Sequence, residues 1–457
     1  MTQDSLTRRL ARHLVRPIAA QDRARARLHL LDWLGCVAGA LPSDTGAIVR
    51  AMPGGSAMRA AWLGNKLEMD DVHRAAILHP GPVVWASALA SSTAGMDRLL
   101  DAAIRGYEAM IAVGSTFDAH HYAHWHNTAT AGMFGAAVTA LACTDPAFAD
   151  GNGDAALREE RLVHVLGLAG SVAGGLWQMR HEPGDAKQWH VAHAVASGLH
   201  AASAVLAGAR APQFILEGPQ GLHAATTAAA RSMELPGHWR IHDVSFKPWA
   251  ACRHAHPAID AALELKARLG SLDGPITVET YADALTFCDR PAPTSEIEAK
   301  FSIQHSVALV ALSGTPRLGD FDAATIAATA AVRSRITVRD EAEFTKRYPA
   351  HFGARVRCGD AEVTLEDTLG DPERPMSEAQ ILAKAGALLA LGGHGAELDR
   401  MATAALQGNS PATVAGILED WVARARSTGS SDFPPPPPNC RPQCVAMRCG
   451  CWPTRWP

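Results

Sequence analysis

The sequence predicts a mainly α protein, in which a large all-helical domain carries an inserted, smaller α+β domain. Apolar residues recur at helical spacing through most of the chain. Alanine and glycine are abundant, while aromatic residues make up only 6% of the 457 residues, a composition that favours closely packed helices. A group of short β-type runs in one part of the chain predicts the α+β insertion.

The helical part of the chain begins close to the N-terminus. Residues 22–110 place apolar side chains at helical spacing, as in "ARARLHLLDWLGCVAGAL", with arginines opposite them. Glycine and proline interrupt this pattern in "MPGGS" and "HPGPVV". Helical patterns continue at 96–117 and across 155–233. We therefore predict that residues 1–243 form the first part of the helical domain.

The character of the sequence changes near residue 243. The runs "PITVETY", "SRITVR", "ARVRC" and "AEVTLE" are alternating or β-branched, and helical segments lie among them. We predict an α+β domain over residues 244–372, and a return to the helical domain over residues 373–426. Residues 427–457 contain five consecutive prolines and no helical or strand period, which predicts a disordered tail.

Composition argues against several classes of function. The formal net charge of −4 provides no basic field for nucleic acid. The N-terminus lacks an apolar signal core, and the most apolar stretch is too short to span a membrane convincingly, so we expect a cytoplasmic protein. No GxGxxG motif opens a helix and no GxSxG motif occurs, so a dinucleotide site and a serine hydrolase have no support.

The cysteines of the tail leave a zinc site open as an alternative. They are Cys440, Cys444, Cys449 and Cys451. Three, four and one residues separate them, which is not the regular pair of CxxC motifs typical of zinc proteins. We therefore expect no metal.

Histidines crowd into the stretch "HHYAHWHN". They are His120, His121, His124 and His126. His120 and His124 would share a helical face, which suits a metal, but the glutamate of an HExxH site is absent. Asn127 is expected to cap the helix that follows, which would place His126 ahead of a helix N-terminus, where an anionic substrate is favoured. Spacing alone leaves a polar surface, a catalytic cluster and a metal site open.

Three other segments mix carboxylates, imidazoles and cationic side chains. They contribute Glu68, Asp70, Asp71, His73 and His79; Lys187 and His190; and Lys247, Arg253, His254 and His256. Each segment alone is more often an ordinary surface or a satisfied polar group. Together they provide what is needed to bind a polycarboxylate and to move protons on carbon.

An ordered set of motifs resembles the MmgE/PrpD family across roughly residues 5–425. The motifs are "NKLEMDDVHRAAILHPG", "HNTATAGMFGAA", "GDAKQWHVAHAVASGLHAA", "FILEGPQGL", "KPWAACRHAHPAIDAA", "EAKFSIQHSVALVAL" and "GDPERPMS". This family includes 2-methylcitrate dehydratase, cis-aconitate decarboxylase and iminodisuccinate epimerase. The resemblance implies a homodimer, an α+β domain that acts as a lid, an active site between the two domains, and chemistry without a metal or an organic cofactor.

The resemblance also implies site residues. The family's acidic motif matches "EMDD", so that Glu68 stands where an aspartate is usual. Its HP motif matches His79, and the histidine of its H-x-T-x-T-x-G motif matches His126, so the other histidines of that stretch are expected to be flanking polar residues. Its two lysines match Lys187 and Lys247.

Two departures from the family pattern concern the reaction. Cys252 stands where the decarboxylase has a histidine, and His305 stands where the family has a tyrosine. The pKa values of a phenol and an imidazole differ by several units, so His305 is expected to shuttle a proton near neutrality. Both departures argue against transferring the decarboxylase activity.

We therefore expect a cofactor-independent lyase that acts on a small di- or tricarboxylate, most like 2-methylcitrate dehydratase. The predicted catalytic residues are His79, His126, Asp70, Lys187 and His305. The predicted substrate-binding residues are Glu68, Asp71, Lys247, Cys252, Arg253 and His256. The alternatives are a dicarboxylate epimerase, a cis-aconitate-type decarboxylase, and a degenerate family member that only binds its ligand.

Overall fold

A computed structural model describes residues 4–51, 55–91, 95–148, 154–182 and 184–424. The predicted tail of residues 427–457, with its four cysteines, lies outside the described residues.

Helices dominate the described chain, so the prediction of a mainly α protein is confirmed. Before residue 245 they are α1 (Leu6–Leu14), α2 (Ala20–Ala40), α3 (Asp44–Ala51), α4 (Ser56–Gly64), α5 (Gly81–Ser91), α6 (Met96–Gly114), α7 (Ala119–His124), α8 (Asn127–Thr144), α9 (Ala155–Ser171), α10 (Ala186–Leu206) and α11 (Leu222–Thr226). After it they are α12 (His256–Leu269), α13 (Ala282–Cys288), α14 (Glu296–Lys300), α15 (Ile303–Ser313), α16 (Ala323–Ala328), α17 (Ala330–Arg333), α18 (Ala342–Arg347), α19 (Glu378–Leu391), α20 (Leu398–Leu406) and α21 (Pro411–Arg424).

Helix α8 is the centre of the helical part. Its residues from Asn127 to Cys143 are all buried, because α5, α6, α9 and α10 pack around it. The small side chains of α8 permit this close packing. A side chain at Gly106 of α6 would clash with Thr139 of α8, so glycine is needed where these two helices meet. The predicted packing of helices through small residues is confirmed.

The four predicted β-type runs form one sheet. Its strands are β1 (Ile276–Thr280), β2 (Ile336–Asp340), β3 (Ala354–Cys358) and β4 (Ala361–Leu365), in the order β2-β1-β3-β4. β1 runs parallel to β2 and antiparallel to β3, and β4 runs antiparallel to β3. Helix α12 packs against β3 and β4.

The last helices pack against the first ones. α19 and α20 lie against α2, and α21 lies against α4 and α5. In the core of this contact, Lys384 of α19 forms an ion pair with Asp32 of α2 at 2.6 Å. The division into a helical domain and an inserted lid stays a prediction. Within the described ranges, no helix is both long and apolar enough to cross a membrane.

Candidate active site

The loop of residues 65–80, between α4 and α5, carries most of the predicted acidic and histidine residues. Glu68 and Ile77 have φ angles of 58° and 51°, a left-handed conformation that is uncommon for residues with a side chain. Such strain costs about 1–3 kcal/mol and persists where the surroundings enforce it. Here Val72 and Ser245 exchange backbone hydrogen bonds of 3.0 and 2.8 Å. Lys384 donates to the carbonyl oxygen of Met69 at 2.6 Å, which holds the loop from its other side.

Glu68 lies between the two predicted lysines. Its carboxylate is buried, forms an ion pair with Lys187 through Oε1, and has Oε2 3.7 Å from Nζ of Lys247. Burial by itself would raise the pKa of Glu68, but the two ammonium groups outweigh burial and lower it. Burial likewise opposes the charge on Lys187, but Glu68 and Asp70 raise its pKa. The pair is therefore ionised at neutral pH.

Lys247 is the second cation of this site. Its side chain is fully buried, and no atom in the described part of the chain accepts a hydrogen bond from its Nζ. Burial is the main cause that lowers its pKa, and Lys187 adds repulsion, while Glu68 and Asp70 act in the opposite direction. An ammonium without an acceptor is costly to bury, so this group favours the arrival of an anionic ligand.

His79 is held in one tautomer. Its Nδ1 lies 3.0 Å from Oδ2 of Asp70 and 2.9 Å from the carbonyl oxygen of Asp71. Both partners are acceptors, so Nδ1 carries a proton and the neutral ring has its lone pair on Nε2. Asn65 donates to the same Asp70 oxygen at 2.7 Å. Burial would raise the pKa of Asp70, but His79 and the two lysines lower it, which keeps this carboxylate charged.

Asp71 faces the protein interior. One carboxylate oxygen accepts from Tyr107 at 2.6 Å and contacts His29 Nδ1 at 2.7 Å, and the other accepts from Gly81 N at 2.8 Å. A Cβ at Gly81 would lie 2.7 Å from this carboxylate, so the close approach requires glycine. Protein groups therefore occupy both oxygens of Asp71, and its side chain holds the loop in place.

His126 lies at the N-terminus of α8. It is the cap residue of that helix, so the expectation that Asn127 caps it is wrong, because Asn127 is already the first helical residue. The backbone N–H of His126 donates to the carbonyl oxygen of Gly175 at 2.8 Å. Its buried ring lies 4.4 Å from the ring of Trp177, and its Nδ1 lies 3.4 Å from Nδ1 of His190.

The other histidines of this stretch divide into two groups. His120 and His124 are exposed on α7, as expected for flanking polar residues. His121 is instead completely buried, with its ring stacked 3.7 Å from that of Phe117. Its Nδ1 lies 3.0 Å from Oδ1 of Asn127, so His121 positions the first turn of α8 beside His126.

In the segment after Lys247, Cys252 lies close enough to this lysine for the charge of Lys247 to affect its pKa. The pKa of Cys252 is lowered mainly by a hydrogen bond with Cys288 and also by the charge of Lys247. Arg253 forms an ion pair with Asp371, and its guanidinium lies 3.1 Å from Nδ1 of His256. Nε2 of His256 lies 3.1 Å from the carbonyl oxygen of Ala251. Arg253 and His256 are thus engaged with protein groups.

His305 lies in a different environment from the residues around Glu68. It is completely buried on α15, and its two ring nitrogens lie 3.1 Å from the hydroxyl of Thr329 and 2.9 Å from the carbonyl oxygen of Asp320. Burial lowers its pKa. Its hydrogen-bond partners do not include any other predicted site residue.

Two family models match the chain. The model of the MmgE/PrpD N-terminal domain matches residues 49–233, and the model of the MmgE/PrpD C-terminal domain matches residues 249–407. The chain belongs to the MmgE/PrpD family. Members of the MmgE/PrpD family are in general dehydratases or related lyases. No curated protein matches the chain.

In the described part of this MmgE/PrpD protein, the side chains spaced closely enough to hold a metal ion lie outside the histidine stretch. Among the described residues, His351, Asp367 and Glu373 bring three ligand atoms close together. The guanidinium of Arg74 already pairs with Asp367 at 2.8 Å and also with Glu373. A cationic side chain therefore already pairs with both carboxylates of this group.

His190 contacts His126 in this MmgE/PrpD protein but was not among the predicted site residues. It lies on α10 three residues after Lys187, and burial, followed by repulsion from His193, lowers its pKa. The spacing of Lys187 and His190 placed them on one helical face. Nothing in the spacing indicated that the same face meets His126, because that contact joins two helices far apart in sequence.

Proposed function

We propose that this protein is a cofactor-independent lyase that removes water from a small di- or tricarboxylate, as 2-methylcitrate dehydratase does. The observation that supports this most is the buried group of Lys187 and Lys247 next to His79, whose tautomer Asp70 and Asp71 fix. Two cations suit carboxylates, and an oriented imidazole suits proton transfer at carbon. The lyase character of the MmgE/PrpD family agrees with this proposal.

Carboxylate binding falls to the lysines. Removing a proton from the carbon beside a carboxylate builds enolate character on that carboxylate. Cations already fixed in a buried site stabilise this charge without further reorganisation. Lys187 lies at the start of α10 and Lys247 reaches the same point from the segment after Ser245, so one carboxylate can contact both.

His79 is the proposed general base. Its Nε2 takes the carbon-bound proton, and the resulting imidazolium is stabilised by the Asp70 carboxylate on Nδ1. Asp70 acts through His79 and is therefore a positioning residue. Burial would raise the pKa of Asp70, but His79 and the two lysines keep it low, so this carboxylate stays negative when the imidazolium forms.

His126 is the proposed general acid. Its position at the N-terminus of α8 lies at the positive end of that helix, where negative charge on a departing oxygen is stabilised. His126 gives a proton to the leaving hydroxyl, the carbon–oxygen bond breaks, and water departs. The base gains one proton and the acid loses one, so the overall reaction releases only water and an alkene.

Proton NMR in D₂O tests this proposal. The purified protein is incubated in separate samples with 2-methylcitrate, citrate, cis-aconitate and an iminodisuccinate-type acid. Each acid is tested with and without EDTA. We expect an alkene from a hydroxy acid, and we expect His126→Ala to abolish it. Deuterium exchange or a new diastereomer without loss of water would instead indicate an epimerase. Activity that is present without EDTA and lost when EDTA is added would contradict a metal-free reaction.

The homodimer implied by the family resemblance and the cytoplasmic location expected from the sequence remain proposals. Light scattering of the full chain at several concentrations measures the first of them.

A further inference from the structure

Glu68 places a protein carboxylate where the proposed function needs a ligand carboxylate. It bridges the two lysines, with Oε1 on Lys187 and Oε2 3.7 Å from Lys247. All three side chains are largely or completely buried, with exposed fractions of 4%, 18% and 0% for Glu68, Lys187 and Lys247. Little solvent therefore screens this contact, and the charges act on one another directly.

A count of charges shows what this contact does to an incoming anion. In their charged forms, Lys187 and Lys247 contribute two positive charges, and Glu68 with Asp70 contributes two negative ones. The pKa shifts of Lys187, Glu68 and Asp70 favour their charged forms, whereas burial lowers the pKa of Lys247 against the attraction of Glu68 and Asp70. The group is close to neutral before any ligand arrives. A ligand carboxylate that contacts either lysine therefore meets the like charge of Glu68 at close range.

We infer that Glu68 is an internal carboxylate that occupies the subsite between Lys187 and Lys247 and competes with the substrate for it. This inference rests on the proposed function, because it assumes that the subsite takes a carboxylate. Glu68 then determines specificity: an acid binds only if it makes contacts elsewhere that outweigh the displacement of Glu68. Acids with several carboxylates meet this condition better than monocarboxylates.

Backbone geometry supports this reading. Glu68 has a φ angle of 58°, and within the described chain its carboxylate forms ion pairs with the two lysines. A left-handed backbone at a residue with a side chain is held in place by its surroundings. The ion pair with Lys187 is a contact that can hold it. A ligand that takes over the lysines therefore releases both the ion pair and part of this constraint.

Proton uptake is a second consequence. The ammonium groups keep Glu68 ionised against the effect of burial. When a ligand carboxylate shares these ammonium groups, the support for the ionised form weakens and a second negative charge lies nearby. Both changes favour the protonated carboxyl, so we expect Glu68 to take up a proton as the ligand binds.

Calorimetry with tricarballylate tests the inference, since this tricarboxylate has no hydroxyl to eliminate. The full chain is compared with Glu68→Gln, which keeps the shape and removes the charge, and with Glu68→Asp, which shortens the side chain. Glu160→Gln removes a charge from an exposed glutamate that lies 3.8 Å from His164, and is the matched control. Thermal unfolding checks that each variant is folded.

We expect Glu68→Gln to bind tricarballylate about tenfold more tightly or better, given one fewer like charge at close range. Glu68→Asp should bind with intermediate affinity, and the control should match the unmodified protein. Titrations in buffers with different ionisation enthalpies should show proton uptake that Glu68→Gln abolishes.

Equal or weaker binding by folded Glu68→Gln would overturn the inference while leaving a carboxylate subsite in place. No binding by any variant would contradict both the inference and the proposed function.

Discussion

Replacement of Asp70 by asparagine tests the proposed catalytic arrangement through a residue that does not touch the substrate. Asparagine has the same shape, and the carbonyl oxygen of Asp71 remains 2.9 Å from Nδ1 of His79 to hold the ring. Asn65 can still donate to the residue at position 70, since its present contact is 2.7 Å from Oδ2. We therefore expect the variant to fold with the same tautomer of His79.

The expected loss follows from the hydrogen bond at 3.0 Å between His79 and Asp70. Hydrogen bonds to charged groups contribute about 1.5–3 kcal/mol, and this one strengthens when His79 becomes an imidazolium in the transition state. Removing the charge should therefore lower kcat/KM by roughly 10- to 150-fold. The loss should fall on kcat, because Asp70 acts through His79 and not through the lysines.

Steady-state kinetics with an acid that the protein converts provides the assay. Asp322→Asn is the matched control, because Asp322 is an exposed cap of α16 and asparagine caps helices equally well. An unchanged kcat/KM for folded Asp70→Asn would refute the role of Asp70. A loss confined to KM would show that Asp70 contributes to binding, contrary to the reasoning above.

Three further predictions concern stability and its dependence on pH. Lys384→Met leaves Asp32 buried without its partner at 2.6 Å, so urea denaturation should show a loss of about 3–5 kcal/mol, which a second change, Asp32→Asn, should partly restore. The pKa of Asp371, which burial alone would raise, is lowered by Arg253 and Arg74, so its contribution to stability is complete above the unfolded value of 3.8 and is lost as the pH falls. The deficit of Asp371→Asn in urea should therefore be large near neutrality and shrink below pH 3.8. Burial lowers the pKa of His121 from 6.5 to about 4, so this histidine stabilises the fold fully above pH 6.5 and loses about 3 kcal/mol of that contribution as the pH falls towards 4. His121→Asn should flatten this part of the pH profile of stability. An unchanged profile would show that His121 does not cause this loss of stability.

Local patterns predicted much of the fold. The four strand segments were found because β-branched alternation is a property of a few consecutive residues, and each of them became a strand of one sheet. The small residues of α8 likewise indicated close helix packing. The order β2-β1-β3-β4 was not predicted, because strand pairing depends on contacts between distant segments.

The site was predicted unevenly, for the same reason. The sequence motifs indicated Glu68, Lys187 and Lys247, and the structure brings these three together. They did not indicate that Asp371, more than a hundred residues away, would pair with Arg253. Nor did they indicate that His305 would face a hydroxyl and a carbonyl oxygen of its own part of the chain.

The residue that caps α8 was also predicted incorrectly from the sequence. Asparagine is a favoured cap, so Asn127 was the natural choice at the start of α8. The structure uses Asn127 in another way, since its amide donates to the carbonyl oxygen of Ala76 at 2.9 Å and its Oδ1 contacts His121. These tertiary contacts join the segments that carry His79 and His126.

Hydrogen exchange at carbon tests the central claim most directly. A carboxylic acid that the protein binds is incubated in D₂O with the unmodified protein, with His79→Gln, and with His200→Gln, a control at an exposed position of α10. Proton NMR follows the loss of the hydrogen on the carbon beside the carboxylate. We expect turnover-linked proton removal by the unmodified protein and the control, and a loss of about 100-fold or more in folded His79→Gln. Proton removal by His79→Gln at the unmodified rate would contradict the assignment of His79 as the base.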